Sequence, residues 1–243
     1  AVDDAGRVLG VNVAKRLDGE QVSFLIPAEF AQALLQRAAS APPITQPAHQ
    51  EVARQLLVHQ QLLTERFLQT PFQEQRHGNY LVPVPYDALA RCWGSGRDPD
   101  YSALHLERSA CQTNSHVVAG DFSTGTVRLG YEAYSAPSYG AARFAHMYSR
   151  SFANERIPNR GSRQKTAAEC AERFVDQGGL PLRAVVCMSA YRKLPGLYDM
   201  TVLAATLNQP TQGVLGRLDV RGIGFDNGLK LAERFLQSFR WEA

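Results

Sequence analysis

The sequence has no long apolar run, which excludes one class of protein. A membrane-spanning helix needs roughly 18 or more consecutive apolar residues, and the 243 residues contain no such run. Lysine is also scarce, because 4 of the 26 basic residues are Lys and 22 are Arg. Hydrophobic residues make up 44% and charged residues 20% of the chain, which excludes a disordered composition. The net charge of +3 does not indicate a nucleic-acid-binding protein, which needs a concentrated basic face.

The chain opens on Ala1 rather than Met and shows no secretory signal pattern. We therefore expect a processed or truncated piece of a longer protein. Its length suffices for one large domain or two small ones.

The four cysteines lack every common metal-site spacing. There is no Cys-x-x-Cys and no Cys/His cluster, so we expect no structural metal and no cofactor. Three disulfide connectivities are open, and we predict the sequence-local pairs Cys92–Cys111 and Cys170–Cys187. Such disulfides would place the protein in the periplasm or outside the cell. The alternative is four reduced thiols in a cytosolic protein, packed as small apolar groups.

The first part of the chain reads as two strands, a helix and a linker. Residues 7–15 and 21–26 are rich in β-branched and apolar residues, which predicts strands. Pro27 fits the start of a helix over 28–39. Residues 40–48 hold three prolines and no charge, which predicts an extended linker and a domain boundary.

The rest of the chain predicts a mixed domain. A helix is expected over 49–69, with His59 in its apolar stripe, where a packing role is more common than a ligand role. Further strands are predicted over 79–84, 101–111, 115–120, 125–134, 183–193, 198–207 and 213–221. Further helices are predicted over 139–153, 165–177 and 226–239. This order favours the α+β class with an antiparallel sheet.

Residues 1–14 (Ala-Val-Asp-Asp-Ala-Gly-Arg-Val-Leu-Gly-Val-Asn-Val-Ala) and 23–28 (Ser-Phe-Leu-Ile-Pro-Ala) carry a resemblance. Together they resemble the C-terminal end of a trypsin-like serine protease domain of the bacterial DegP/HtrA group. The resemblance covers residues 1–39 and implies partial trypsin-like β-barrel strands at the N-terminus. In that family the catalytic Ser, His and Asp would all precede Ala1, so the resemblance implies no catalytic residue in this chain and an inactive fragment of a serine endopeptidase.

The resemblance also implies a remnant of the substrate site. One substrate strand would be Val11, Asn12, Val13 and Ala14, and one wall of the specificity pocket would be Val22, Ser23 and Phe24. No Asp stands at the expected pocket base, which favours small or medium apolar substrate side chains. The alternative is that these residues are barrel core. The implied domains are a protease remnant over 1–39, a linker and amphipathic helix over 40–71, and an α+β domain over 72–243.

Other motifs are weak. The sequence has no Gly-x-Ser-x-Gly, His-Glu-x-x-His, P-loop or EF-hand pattern. Gly222-Ile223-Gly224 matches half of a dinucleotide fingerprint, but position 227 is Asn, so a turn before a helix capped by Asp226 or Asn227 is the preferred interpretation. His105, His116 and His146 could each meet a carboxylate in space, although a structural role is more common for a lone histidine.

One stretch is strongly basic. Residues 143–165 contain one acid, Glu155, and aromatic residues between the cations. The cations are Arg143, Arg150, Arg156, Arg160, Arg163 and Lys165. They predict contact with an anionic partner such as a phospholipid headgroup, an acidic peptide or nucleic acid. The alternative is a solvated helix face, and the low net charge does not favour nucleic acid.

Three hypotheses for function follow. The favoured one is a fragment of a trypsin-like serine endopeptidase, acting on polypeptides, with an appended domain. The second is a non-enzymatic binding or adaptor module of the cell envelope. The third is an enzyme in the second domain, which would need a carboxylate beside one of the three histidines named above.

Overall fold

The computed structural model describes residues 1–15, 23–45, 47–85, 89–96, 103–113, 115, 117–119, 122–155, 157 and 161–242. The predicted site residues Val22, His116, Arg156 and Arg160 lie outside these ranges. The chain divides into two compact units, residues 1–47 and residues 48–243. In the ranges just given, no helix has the length and apolar character needed to cross a membrane.

The first unit is a hairpin followed by a helix. Strand β1 (Gly10–Lys15) pairs antiparallel with β2 (Ser23–Pro27), and α1 (Ala28–Ser40) follows directly. Pro27 occupies the N-cap position of α1, close to the helix start predicted for it. The unit leaves large apolar side chains exposed: Val11, Val13, Phe24, Phe30, Leu34 and Leu35.

The described residues of the second unit form three helices and twelve named strands. The helices are α2 (Ala48–Gln69), α3 (Ala141–Ala153) and α4 (Phe225–Gln237). The first six strands are β3 (Gln73–His77), β4 (Tyr80–Val84), β5 (Ala90–Gly96), β6 (His105–Thr113), β7 (Val117–Ala119) and β8 (Phe122–Thr124). The others are β9 (Val127–Ser135), β10 (Glu169–Gln177), β11 (Leu180–Ala190), β12 (Leu197–Thr206), β13 (Gln212–Gly224) and β14 (Arg240–Trp241).

A seven-stranded antiparallel sheet dominates this unit, in the order β10-β11-β12-β13-β9-β6-β5. A three-stranded sheet (β14-β4-β3) and a two-stranded pair (β7-β8) accompany it. The predicted α+β class with an antiparallel sheet is confirmed. The predicted trypsin-like barrel strands instead form the two-stranded hairpin of the first unit, and the part of the chain that the structure describes contains no closed barrel.

The predicted helix over 165–177 is wrong, because Glu169–Gln177 form strand β10. Every residue of β10 pairs with β11, from Glu169 opposite Met188 to Gln177 opposite Leu180. Gly178 and Gly179 both have positive φ and make the tight turn that returns the chain into β11. This pairing overrides the helical propensity of the segment.

The central strands are buried on both faces. On β12, Met200, Val202 and Ala204 pack in a core cluster with residues of α2 and α4. The intervening Leu203 and Ala205 pack in a second cluster with α3. This period-two alternation places α2 and α4 on one face of the sheet and α3 on the other.

Two disulfides hold the edge strands of the large sheet. Cys92 of β5 is bonded to Cys111 of β6, and Cys170 of β10 is bonded to Cys187 of β11. In each pair the two cysteines lie directly opposite each other across the strands. Since β5 and β10 are the two edges of the sheet, both edges are covalently tied to their neighbours. The disulfides fit an oxidising, extracytoplasmic compartment.

Candidate functional site

An open groove of about 940 Å³ lies on the sheet face that carries α3. Helix α3 covers only part of this face, where Phe144, Tyr148 and Phe152 pack on the sheet. Beyond the helix the same face is polar. The volume of the groove is within the range of sites that hold small ligands. The groove is therefore the candidate site.

Alternation along β13 creates the polar floor. Leu218 and Val220 are buried in the core, whereas Arg217, Asp219 and Arg221 line the groove. Strand β9 lies beside β13 and contributes Arg128, opposite Asp219, and Glu132. Charged residues therefore occupy the groove side of two central strands, where a covered sheet would carry apolar ones.

Arg217 is the centre of an ion-pair network. Its Nε donates to Asp219 Oδ2 at 2.6 Å, its Nη2 donates to Asp219 Oδ1 at 2.9 Å, and its Nη1 donates to Glu155 Oε2 at 2.8 Å. Thr201 Oγ1 also donates to Asp219, at 2.7 Å. Burial works to lower the pKa of Arg217, but the hydrogen bonds to Asp219 and Glu155 outweigh it and raise that pKa. This arginine is fully engaged by the protein itself.

A second network holds Asp199. Lys165 Nζ donates to Asp199 Oδ2 at 2.6 Å, and Tyr191 Oη donates to Oδ1 at 2.7 Å. The backbone N–H of Gly222 also donates to Oδ1, at 3.1 Å. Burial and the neighbouring Asp199 carboxylate raise the pKa of Tyr191, so its hydroxyl stays protonated and acts as a donor.

Glu132 is engaged in the same way. Arg108 Nε donates to Glu132 Oε1 at 2.6 Å, and the Tyr134 hydroxyl donates to Oε2. All four carboxylates that line the groove are therefore paired: Glu132, Glu155, Asp199 and Asp219.

Two groove arginines have no such partner among the described residues. Within the described ranges, neither Arg128 nor Arg221 lies within salt-bridge distance of a carboxylate. Both are exposed. Arg128 lies opposite Asp219, and Arg221 follows Asp219 by two residues on the same side of β13, so the two arginines are diagonal neighbours across adjacent strands. Their positive charges are available to an anion in the groove.

The predicted substrate residues lie in the first unit. Val11, Asn12 and Val13 are exposed on β1, and Phe24 is exposed on β2. Ala14 and Ser23 belong to the same two strands. Their role in contacting a substrate stays a prediction, and Val22 lies outside the described residues.

The described cations of the basic stretch differ in their surroundings. Lys165 binds Asp199 inside the groove, whereas Arg143 and Arg150 are on the exposed face of α3 and Arg163 is exposed on the following segment. The Arg143 guanidinium lies over the Tyr139 ring, 4.1 Å from its centroid. Arg156 and Arg160 fall among the residues that are not described. Contact of these arginines with an anionic partner stays a prediction.

His77, which the sequence analysis did not predict as a site residue, forms hydrogen bonds with both Ser109 and Glu107. His77 Nε2 lies 2.9 Å from Ser109 Oγ, and His77 Nδ1 lies 3.1 Å from Glu107 Oε2. This order matches a serine nucleophile, its base and an orienting carboxylate. However, Ser109 lies opposite the buried Tyr131, so its hydroxyl points toward the core and away from the groove. Ser109 and His77 are only 6% and 4% exposed, and we interpret these hydrogen bonds as a structural link between β3 and β6.

The glycines before α4 have a structural role. Gly222 has φ of 71°, and a Cβ there would lie 2.4 Å from Thr124 Cβ. Gly224 is the N-cap residue of α4, so the predicted capping by Asp226 or Asn227 is wrong. Asn227 instead lies inside the helix, and its Nδ2 donates to Gln60 Oε1 at 3.0 Å, which ties α4 to α2.

We expect Gly222→Ala to lower the free energy of unfolding by about 1–3 kcal/mol, because Ala is strained at positive φ and meets Thr124. Urea unfolding of the variant measures this loss. Gly130→Ala is the control, because a Cβ at Gly130 meets only the Ser109 carbonyl oxygen, at 4.0 Å, and Gly130 is not among the positive-φ glycines. Equal stability of the two variants would contradict the assigned role of Gly222.

Comparison with known proteins assigns no family. No family model matches the chain, and no curated protein matches it. Among solved structures, the chain is similar to the solution structure of cyanobacterial PsbP (CyanoP) from Synechocystis sp. PCC 6803. The identity is 12%, the TM-score is 0.37, and the match covers 71% of this chain and 94% of that one. A likeness of this size carries no functional argument.

The interpretation of residues 1–39 as the end of a trypsin-like protease domain is wrong. No protease family model matches the chain, and the described part of residues 10–40 forms a two-stranded hairpin and a helix, with no closed barrel among the described residues. The physical reason is that two apolar strands followed by a helix starting after proline form a small unit that unrelated folds share. Because the serine endopeptidase function was inferred from this resemblance, that inference is wrong as well.

Proposed function

We propose that residues 48–243 form a non-enzymatic binding module whose sheet groove takes an anionic ligand. The single observation that carries this proposal is the charge imbalance of the groove. Its four carboxylates are engaged by three cations, Arg108, Arg217 and Lys165. Arg128 and Arg221 form no ion pair with any described residue, and the lining carries five positive and four negative charges. Guanidinium groups bind carboxylates and phosphates through paired hydrogen bonds, so two neighbouring ones favour an anion.

The proposal places this module in the cell envelope, as an adaptor in the periplasm. The two disulfides support an oxidising compartment, and the periplasm is the bacterial one in which disulfides persist. Arg143, Arg150 and Arg163 are retained as a proposed second contact, which would raise the local concentration of anions near the groove.

The test is calorimetric titration of the full chain with inorganic phosphate at constant ionic strength. We expect weak binding that falls at least about tenfold in the variant with Arg128→Ala and Arg221→Ala, since one charge-assisted hydrogen bond contributes roughly 1.5–3 kcal/mol. Arg66→Ala is the matched control, because Arg66 is exposed on α2, which packs on the opposite face of the sheet. Phosphate binding that is absent, or equally weakened in the control, would overturn the proposal.

A further inference from the structure

A tryptophan stands exposed at one side of the groove. Trp93 is 50% exposed, on the edge strand β5, and lines the groove. Burying a tryptophan removes a large apolar surface from water, and exposed aromatic rings are frequent anchors in binding sites. The ring is therefore available to pack against an apolar part of a ligand.

Beside Trp93 the floor has a gap. Ala110 of β6 lies directly opposite Trp93, and Gly130 of β9 lies directly opposite Ala110, so a row of two small residues separates Trp93 from Arg217 of β13. A Cβ at Gly130 would meet only the Ser109 carbonyl oxygen, at 4.0 Å. Gly130 is also not among the positive-φ glycines. Neither packing nor backbone conformation requires a glycine here, and its effect is to leave the groove open.

Arg128, one of the two groove arginines without an ion pair among the described residues, lies next to this gap. Arg128 precedes Gly130 by two residues and is on the same side of β9, a separation of about 7 Å along a strand. Arg221 lies diagonally beyond Arg128 on β13. A flat group lying over Ala110 and Gly130 would therefore have Trp93 at one edge and a guanidinium within reach of an anionic substituent.

We propose that the ligand of the groove is an aromatic monoanion, a ring that bears a carboxylate or similar group. Its ring lies over Ala110 and Gly130 against Trp93, and its anionic group is held by Arg128 and Arg221. This inference rests on the proposed anion-binding function, and it adds that the anionic ligand contains an aromatic ring. Stacking on an indole favours flat apolar groups, while the arginines select the charge.

The experiment titrates the full chain with 2-naphthoate, with the neutral 2-naphthamide and with acetate, each followed by calorimetry. We expect 2-naphthoate to bind at least tenfold more tightly than either of the others, because only it carries both ring and charge. Gly130→Leu fills the gap and should weaken 2-naphthoate at least tenfold while changing phosphate binding less than twofold. Gly130→Ala is the matched control and should leave 2-naphthoate binding within about threefold.

Several results would overturn this inference. Equal affinity for 2-naphthoate and acetate would show that the ring does not contribute to binding. It would leave the proposed anion binding intact. Unchanged 2-naphthoate binding in both Gly130→Leu and Trp93→Ala would place the ring elsewhere. Absence of phosphate and acetate binding in the unaltered chain would instead refute the proposed function itself. Thermal unfolding of each variant shows whether it is folded, and Trp93→Ala provides a test that leaves the central strands unchanged.

Discussion

Replacing Cys170 and Cys187 by Ala together should lower the free energy of unfolding by about 3 kcal/mol. A cross-link restricts the unfolded chain, and for a closed loop of roughly 15 residues the expected contribution is about 3 kcal/mol. The two disulfides span 17 and 19 residues, so a similar loss is expected for Cys92→Ala with Cys111→Ala. Urea unfolding measures both losses.

Controls separate the cross-link from packing. Cys187 and Cys111 are buried, so their replacement also removes some apolar contact. Reducing the unaltered protein removes the cross-links and keeps every sulfur atom, and it should reproduce most of the loss. Four free thiols on labelling the denatured, unreduced protein would contradict the disulfides, and with them the extracytoplasmic assignment.

Arg217→Met should lower the free energy of unfolding by about 2–3 kcal/mol. The change keeps the aliphatic stem and removes the guanidinium that Asp219 and Glu155 share. Losing one partner of a largely buried, hydrogen-bonded ion pair costs about 3–5 kcal/mol, and the 26% exposure of the Arg217 side chain reduces this. Chemical unfolding at neutral pH provides the measurement.

The matched control for this prediction is Arg128→Met on the neighbouring strand. Since Arg128 forms no ion pair with any described residue, its loss should change stability by no more than about 0.5 kcal/mol. Adding Asp219→Asn to Arg217→Met should recover part of the loss, because it removes the charge left without a partner. Equal destabilisation by Arg217→Met and Arg128→Met would contradict the division into structural and ligand-binding arginines.

Local sequence patterns predicted much of the fold. Alternating residues place β9 and β13, and the spacing of apolar residues places α2, α3 and α4 within a few residues of their observed bounds. The local patterns fail for β10, where pairing with β11 decides the conformation. Strand β5 was also missed, because no apolar alternation marks its sequence Ala-Arg-Cys-Trp-Gly-Ser-Gly.

Little of the candidate site could be predicted from the sequence. Arg128 and Arg221 are ordinary charged positions on strands that alternate, and only the pairing of β9 with β13 brings them side by side. The charges of the basic stretch over 143–165 are close in sequence, yet Lys165 is neutralised by Asp199. A signal that could have located the site is the combination of charged residues on the inner strands with glycine at position 130, which indicates a sheet face left uncovered.

The most direct measurement of the central claim is an NMR titration of the arginine side-chain Nε–Hε resonances with inorganic phosphate. Arg128→Lys and Arg221→Lys assign the two signals of interest, and Arg143→Lys and Arg150→Lys assign two signals from α3. We predict that the Arg128 and Arg221 resonances shift together with a single affinity, and that those of Arg217 and Arg66 stay unchanged. Shifts confined to Arg143 and Arg150, with none at Arg128 or Arg221, would contradict the groove as the anion site.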